Sequence, residues 1–567
     1  MEIPVARVES LPVGQPRTIR AGDRRVTLVR TDREVFALEH ACPHEGYALA
    51  QGDVRGNVLT CAWHNWKFRL DDGECLFGDE NVRTYPVTVD FTGQVCVDVT
   101  DPDPAVERPR LMQSLREALE EFRVGQIARD TVRLLRASAD PGELVWEAVA
   151  FGAARAEFGW GHAIASAVDC LAIADGLTHD ERALPVVQAL AGIAETEIRR
   201  PPRPQPRPMS QLPGDPATAF RAAVEAEAPE EAEALVLAAI DGGVERDELR
   251  RWFVSAVSDH HLAYGHLAIY TQKAFDLLDR LGWDRAATVL PHLVPTLVWA
   301  TREDKLPYMR PYRRALGPLD LGQLAALPVA AGWQDEGGEL RDALLGRDRV
   351  APLTAMVDAL HAGAGAEGVL SVVSQVVGER LLGYDLQVEF DPHHDFGWLD
   401  ITHGLTHANA VRWAWREQPG ADTLRMVAWA VFLAWYTGRA KTPVAGMDPT
   451  GCAAFVAEAL AVGDREAAAP AGQVEPVADR LDRAALEDRA GSFIVAVHHV
   501  KTARAARHEA SASGSLLPLA GTARFIASPI VDRFVRTSVT RAIDTLSGRG
   551  PADAGADDRS GLLSGAG

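Results

Sequence analysis

Two short boxes near the N-terminus constrain this chain more than any other feature. Cys42-Pro43-His44 is followed, after a sixteen-residue gap, by Cys61-Ala62-Trp63-His64. Two thiolates and two imidazoles in C-x-H and C-x-x-H boxes can hold a [2Fe–2S] cluster, with both thiolates on one iron and both imidazoles on the other. Zinc uses the same donors. Thiolate is a soft, charged ligand, whereas imidazole is neutral and borderline. In a cluster, this division localises the added electron on the imidazole-ligated iron and raises the potential above that of an all-cysteine cluster. The boxes are far apart in sequence, so two loops must converge on one group.

The second box continues as Cys61-Ala62-Trp63-His64-Asn65-Trp66-Lys67-Phe68, then Asp72-Gly73. This run resembles the second cluster loop of Rieske ferredoxins and ring-hydroxylating oxygenases. The resemblance implies that Cys42, His44, Cys61 and His64 ligate a Rieske [2Fe–2S] cluster, and the aromatic residues and box order argue against zinc. Rieske proteins of respiratory complexes add a cysteine to each box and join the two as a disulfide clamp. Here the matching places hold Tyr47 and Trp63. The resemblance therefore implies the soluble ferredoxin or oxygenase branch, with a potential in the lower part of a range of roughly −150 to +300 mV.

The expected architecture is multidomain: a small all-β domain over residues 1–104, then a large, mostly α-helical domain over 105–546, with a disordered tail over 547–567. Arg25–Val29 and Gln94–Val99 alternate with period two, as half-buried strands do. Gly22, Asp72-Gly73 and Thr92-Gly93 are turn signals between strands. Asp101-Pro102-Asp103-Pro104 ends this region, and helical periodicity begins with Leu111–Val124. The proline run within 199–216 reads as a linker or surface loop, and Asp215-Pro216 restarts a helix with a capping residue and proline at the first position. A second Ala/Gly/Pro-rich break is expected near Glu466–Pro476.

A net charge of −21 disfavours nucleic acid as a partner, because phosphate recognition needs a basic surface. Six cysteines in 567 residues are too few for a disulfide scaffold. Apart from the two in the boxes, Cys75, Cys96, Cys170 and Cys452 read as buried small hydrophobes. Met-Glu-Ile-Pro-Val opens without a basic region and apolar core, so no signal peptide is expected. The apolar run Met426–Gly438 is too short to span a bilayer and reads as a buried helix. The expected location is a reducing cytoplasm, away from membranes.

The helical region is marked by histidines in apolar contexts. Gly161-His162-Ala163 recurs loosely as Gly265-His266-Leu267, and Asp400-Ile401-Thr402-His403-Gly404-Leu405-Thr406-His407 is the richest stretch. On a helix, Asp400, His403 and His407 share one face, since 3.6 residues make a turn. One carboxylate and two imidazoles on that face could ligate a non-haem iron with positions open for oxygen. His162 with Asp169, and Asp259 with His266, have the same i, i+7 relation, and His498-His499 with Lys501 and His508 form a further group. The rival reading is a set of core histidines hydrogen-bonded to neighbours. Glu-x-x-His pairs of the di-iron bundles are not evident.

Two further resemblances concern this region. His261-x4-His266, with a later Asp391, Asp395 or Asp400, is similar in spacing to the catalytic iron ligands of ring-hydroxylating oxygenases, which however build that site on a large antiparallel sheet. The Gly-His-Leu-Ala block at 265–268 and the Thr-His-Gly-Leu-Thr block at 402–406 resemble questin-oxidase-like proteins, helical oxidoreductases of polyketide metabolism. That resemblance implies oxygen activation on an aromatic or quinone-like substrate. The expected function is an iron–sulfur oxidoreductase. In it the cluster passes single electrons to a site in the helical domain that includes His162, His266, Asp400, His403 and His407. The alternative is a non-catalytic electron carrier or redox sensor. No convincing G-x-G-x-x-G opens a βαβ unit, so a separate NAD(P)H-dependent reductase is the expected electron source.

Overall fold

Turn residues cut the N-terminal chain into eleven short strands in this computed structural model. They are β1 (Glu2–Arg7), β2 (Arg17–Ala21), β3 (Arg24–Arg30), β4 (Val35–Glu39), β5 (Asp53–Arg55), β6 (Val58–Thr60), β7 (Lys67–Arg69), β8 (Cys75–Phe77), β9 (Thr84–Tyr85), β10 (Val87–Val89) and β11 (Gln94–Asp98). They form three antiparallel sheets in the orders β1-β11-β10, β2-β3-β4-β9 and β5-β6-β7-β8. The structure describes residues 2–391, 396–438, 454–456, 458, 474–489, 491–531 and 535–547. The 547–567 tail beyond Ser547, most of the 466–476 break, Cys452 and Asp395 lie outside the described residues.

β11 alternates half-buried and buried residues, as its period-two pattern predicts. β3 departs from the pattern, because Val26 through Val29 are all buried. The reason is that both faces of its sheet carry a core. Val26 and Leu28 pack with Ala37, Tyr85, Val95 and Val97 on one side. Val29 packs with Leu38, Leu49, Leu59, Phe68 and both box cysteines, Cys42 and Cys61, on the other. Of the cysteines outside the boxes, Cys170 is buried as expected, whereas Cys75 and Cys96 are only half-buried.

The chain divides into two compact units, Met1–Asp140 and Pro141–Gly567. The first therefore extends past the proline break at 101–104 and takes in two helices, Pro104–Glu120 and Val124–Arg136. The second of these lays arginines against the β region. Arg129 Nε donates to Glu80 at 2.7 Å, Arg133 Nη1 lies 3.4 Å from the same carboxylate, and Arg123 Nη1 donates to the Asp79 carbonyl at 2.9 Å.

The second unit is helical throughout its described residues. Asp215 caps helix Pro216–Glu225 by accepting from the Thr218 N–H at 3.1 Å. The apolar run Met426–Gly438 falls on helix Ala421–Tyr436, which is buried on all sides over most of its length. Among the described residues no helix is long and apolar enough to cross a membrane. Four helices matter most: His162–Asp175, His266–Leu281, Trp398–Glu417 and Phe493–Ser513. Each packs against two of the others, so the four close a ring, the arrangement in which bundle cores hold inward-facing ligands.

Glu80 is buried while Arg129 and Arg133 remain 32% and 36% exposed. Replacing it with alanine takes the carboxylate from Arg129, whereas Arg133 keeps Asp130 at 3.3 Å and Glu39 at 3.6 Å. Glu80→Ala is expected to destabilise the first unit by about 2 kcal/mol, below the full cost of breaking a buried pair because the arginines can reach water. Hydrogen exchange of the β3 and β4 amides measures it.

Candidate metal centres

The two boxes fold into two copies of one turn. Cys42 follows β4 and Cys61 follows β6. In each loop the cysteine N–H donates to the carbonyl five residues on, Tyr47 and Trp66, both at 2.8 Å. The cysteine carbonyl accepts from the N–H four residues on, Gly46 at 2.8 Å and Asn65 at 3.2 Å. That closing residue is left-handed in both, at φ 77° for Gly46 and 63° for Asn65. Glycine takes this conformation freely and asparagine better than most other residues. The turns present each cysteine to the core and the histidine two or three residues later to the outside.

Cys42 and Cys61 are only 3% and 2% exposed. Burial pushes the Cys42 thiol up to about 12, and the nearby Cys61 sulfur adds to the shift. Two such sulfurs become thiolates only beside compensating positive charge. His44 and His64 meet edge-on with ring centroids 4.4 Å apart, and Trp66 stacks on His44 at 4.8 Å. His44 Nδ1 is buried with no hydrogen-bond partner, which costs about 1–3 kcal/mol unless a ligand or metal takes it. His44, Glu45 and His64 offer ligand atoms within 4.8 Å of one another, and the two sulfurs do not join that group. Four ligands of one zinc ion would all converge. Donors divided into an inner sulfur pair and an outer imidazole pair fit a two-iron cluster instead.

Where the clamped relatives carry a disulfide, this chain carries a stack. Tyr47 and Trp63 lie nearly parallel, 14° apart with centroids at 4.2 Å, and so join one loop to the other. Trp63 Nε1 donates to Gln51 Oε1 at 2.9 Å, which fixes the indole.

In the helical unit the ring of four helices contributes one histidine each. His162 and His266 are the first residues of their helices, and both follow a glycine. His403 and His498 are the sixth residues of theirs. Centroid separations are 4.8 Å for His162–His266, 4.6 Å for His162–His498, 4.2 Å for His266–His403 and 5.0 Å for His403–His498. The Nδ1–H groups of His403 and His498 donate to the carbonyls of Leu399 and Ile494, each at 2.6 Å, and that of His266 donates to Ala263. Those bonds leave three Nε2 lone pairs aimed inward. His498 Nε2 lies 3.4 Å from His403 Nε2, and His266 Nε2 lies 3.2 Å from His162 Nε2. Lys501 Nζ lies 2.6 Å from His162 Nδ1, and burial lowers the lysine to about 7, so a neutral amine there accepts the His162 Nδ1 proton and leaves Nε2 free. Burial, with Lys501 and the neighbouring imidazoles adding to it, holds His162, His403 and His498 far below the usual histidine range.

Of the residues singled out in the sequence, His162, His266 and His403 meet here, joined by His498. Asp400 does not. As the third residue of its helix it accepts from the Gly397 N–H at 2.8 Å and closes the helix start. His407, one turn beyond His403, packs instead against His261 at 5.4 Å and lines a small cavity with Gly265, Met426 and Trp429. The two i, i+7 carboxylates are also otherwise engaged. Asp169 holds Lys273 Nζ at 2.8 Å, and Asp259 pairs with Arg221 and Arg425. Lys501, left out of the expected site, sits three residues after His498 and so on the same face.

Comparison with known proteins agrees with the N-terminal site. Residues 1–86 match the family described as the Rieske [2Fe-2S] domain. The chain is 38% identical over 63 residues to a probable 3-ketosteroid-9-alpha-monooxygenase oxygenase component of Rhodococcus rhodochrous, covering 11% of this chain and 16% of that one. It is 35% identical over 74 residues to apoptosis-inducing factor 3 of Mus musculus, covering 13% of this chain and 12% of that one. It thus spans less than a sixth of the length of these curated relatives. The solved ferredoxin of Sphingomonas yanoikuyae B1 is 25% identical and aligns over all of its own length and 18% of this chain, with a TM-score of 0.17.

Two outcomes are expected. Trp63→Ala removes the inter-loop stack, worth about 1 kcal/mol, and should hasten loss of cluster absorbance in urea without abolishing assembly. Second, burial holds His407 down at about 3 and His292 below its usual 6.5. Both are neutral in the fold and charge more readily when unfolded, so the unfolded chain binds more protons below pH 6.5. Their contribution is complete above that pH and is lost as pH falls toward 3, so the urea midpoint should drop between about pH 7 and about pH 4. Residues 1–86 are thus a Rieske [2Fe–2S] domain, in whose loops Cys42 and Cys61 form an inner pair and His44 and His64 an outer one.

Proposed function

We propose that this chain is a Rieske oxidoreductase whose chemistry takes place at a metal ion held by His162, His266, His403 and His498. The observation that supports this most is the meeting of His403 and His498. Each ring's single proton is committed to a main-chain carbonyl, so two lone pairs face each other at 3.4 Å. Burial disfavours filling that gap with a proton. A cation held by both nitrogens turns the repulsion into ligation. Main-chain carbonyls that hold the other ring proton and so fix the tautomer of each ligand are a regular feature of such sites.

Neutral imidazoles suit iron, copper, nickel and zinc. Attachment to a one-electron carrier favours a redox-active ion, and iron is the proposed metal. A [2Fe–2S] group supplies single electrons, and residence on one chain keeps donor and acceptor at high effective concentration. The tyrosines Tyr264 and Tyr270 pack 5.6–5.8 Å from the ligand imidazoles, giving the site aromatic walls. Oxygenation of an aromatic or polyketide-like substrate is the reaction class that fits these walls. The oxygenase names of several relatives of the Rieske domain point the same way. All described strands lie within the first 98 residues, so the described residues hold no βαβ nucleotide fold, and the proposed electron source is a separate NAD(P)H-dependent reductase.

Metal analysis of the full chain with acid-labile sulfide tests this reading. A metal beyond the cluster irons is expected, with affinity lowered at least about tenfold in His403→Ala and His498→Ala while the Rieske EPR signal is unchanged. Cluster irons alone would favour the carrier or sensor role.

A further inference from the structure

We propose that Tyr264, Tyr436 and Tyr308 form a one-electron path that drains oxidising equivalents from the four-histidine centre to Tyr308, whose phenolic proton passes to Glu303. The proposal rests on the metal-centre reading above. Tyr264 lies against the ligand His403, with ring centroids 5.8 Å apart. Tyr436 follows at 6.0 Å from Tyr264, and Tyr308 stacks on Tyr436 at 4.9 Å with the planes 15° apart. Tyr308 donates its hydroxyl proton to Glu303 Oε2 at 2.7 Å. Phe432 touches both Tyr308 and Tyr436 but is too hard to oxidise to carry a hole.

The backbone holds the first step in place at some cost. Ala263 and Tyr264 are left-handed, at φ 46° and 59°, and Gly265 follows at 86°. Side chains beyond glycine avoid this region, and consecutive cases are kept only when the surroundings enforce them. Here Ala263 N–H donates to the Thr301 carbonyl at 2.8 Å, and Glu303 N–H donates to the His261 carbonyl at 2.9 Å. One turn thus aims His266, through its bond to Ala263, and sets Tyr264 beside His403. The same pairing brings Glu303, the proton acceptor at the far end, onto the neighbouring strand of chain.

A phenol gives up an electron readily only if its proton has somewhere to go. At Tyr308 that place is the Glu303 carboxylate. With hydrogen peroxide as the oxidant, one electron comes from iron(II), which becomes iron(III), and one from Tyr308, which becomes a neutral tyrosyl radical. The phenolic proton passes to Glu303. Two protons from solvent complete the conversion of peroxide to two waters. Reaction without substrate then ends in a radical near Glu303 instead of an oxidised ligand imidazole.

Tyr270 provides the internal control. It lies 5.7 Å from His162 and 5.6 Å from His266 but has no onward ring among the described residues. The test uses the full chain loaded with iron(II), treated with hydrogen peroxide without substrate and frozen for EPR, with iron content measured first. A tyrosyl signal is expected in the unaltered chain and in Tyr270→Phe. Tyr308→Phe should replace the signal with one of different hyperfine pattern or lose it. Tyr264→Phe should lose it, and should oxidise ligand histidines, read by mass spectrometry of their peptides. A signal unchanged in both Tyr264→Phe and Tyr308→Phe, or absent from an iron-loaded unaltered chain, overturns the path. A helical unit that takes up no iron overturns the metal reading itself, and the path with it.

Discussion

A buried imidazole has one proton to place, and in the helical unit the main chain takes it. His403 and His498 each give theirs to the carbonyl four residues earlier, and His266 gives its own to Ala263. Once those protons are fixed, the other nitrogen of each ring is a lone pair with a set direction; His162, His403 and His498 offer ligand atoms within 4.8 Å of one another, and His266 Nε2 lies 3.2 Å from His162 Nε2. Much of the surrounding structure serves that outcome. Glycines before His162 and His266 let their helices begin at the ligand, and the strained turn at 263–265 sets the entry of the second. Lys501 settles the tautomer of the fourth ring.

The N-terminal unit solves a different problem with the same economy of parts. A two-iron group needs its donors separated by kind, sulfur to one side and nitrogen to the other. A single turn used twice achieves this, because the residue at the cysteine position points into the core and the histidine position points out. Cys42 and Cys61 are part of the β-sheet core itself, so packing and ligation are not independent there. The Tyr47–Trp63 stack ties the two loops where clamped relatives use a covalent bond. Dispersion is weaker than a disulfide but is indifferent to thiol reductants.

How far the residues alone reveal all this differs between the two units. The Rieske domain was legible because four rare residues in fixed spacing admit few chemistries. The β-then-α order was legible from the change in period near residue 104. The unit boundary was not, since Arg129 of the Val124–Arg136 helix and Arg123 just before it reach Glu80 and Asp79 through contacts far apart in sequence. In the helical unit, periodicity places Asp400, His403 and His407 on one face, but it cannot say which level of that face meets another helix. Only His403 does. Asp400 falls in the first helical turn, where a carboxylate closes the helix start, a signal present in the sequence. Lys501 could have been found as the residue one turn after His498. Tyr264 could not, because its place beside His403 depends on a left-handed turn that no local pattern announces.

The central claim is that one metal ion lies among the Nε2 atoms of His162, His266, His403 and His498. Anomalous scattering at the iron edge, from crystals of the full chain grown with iron, tests it most directly. The account predicts a peak at the cluster loops and a second, separate peak between His403 and His498 within bonding distance of both nitrogens. A peak at the cluster loops alone, with water or protein atoms occupying the space between those two rings, would contradict it.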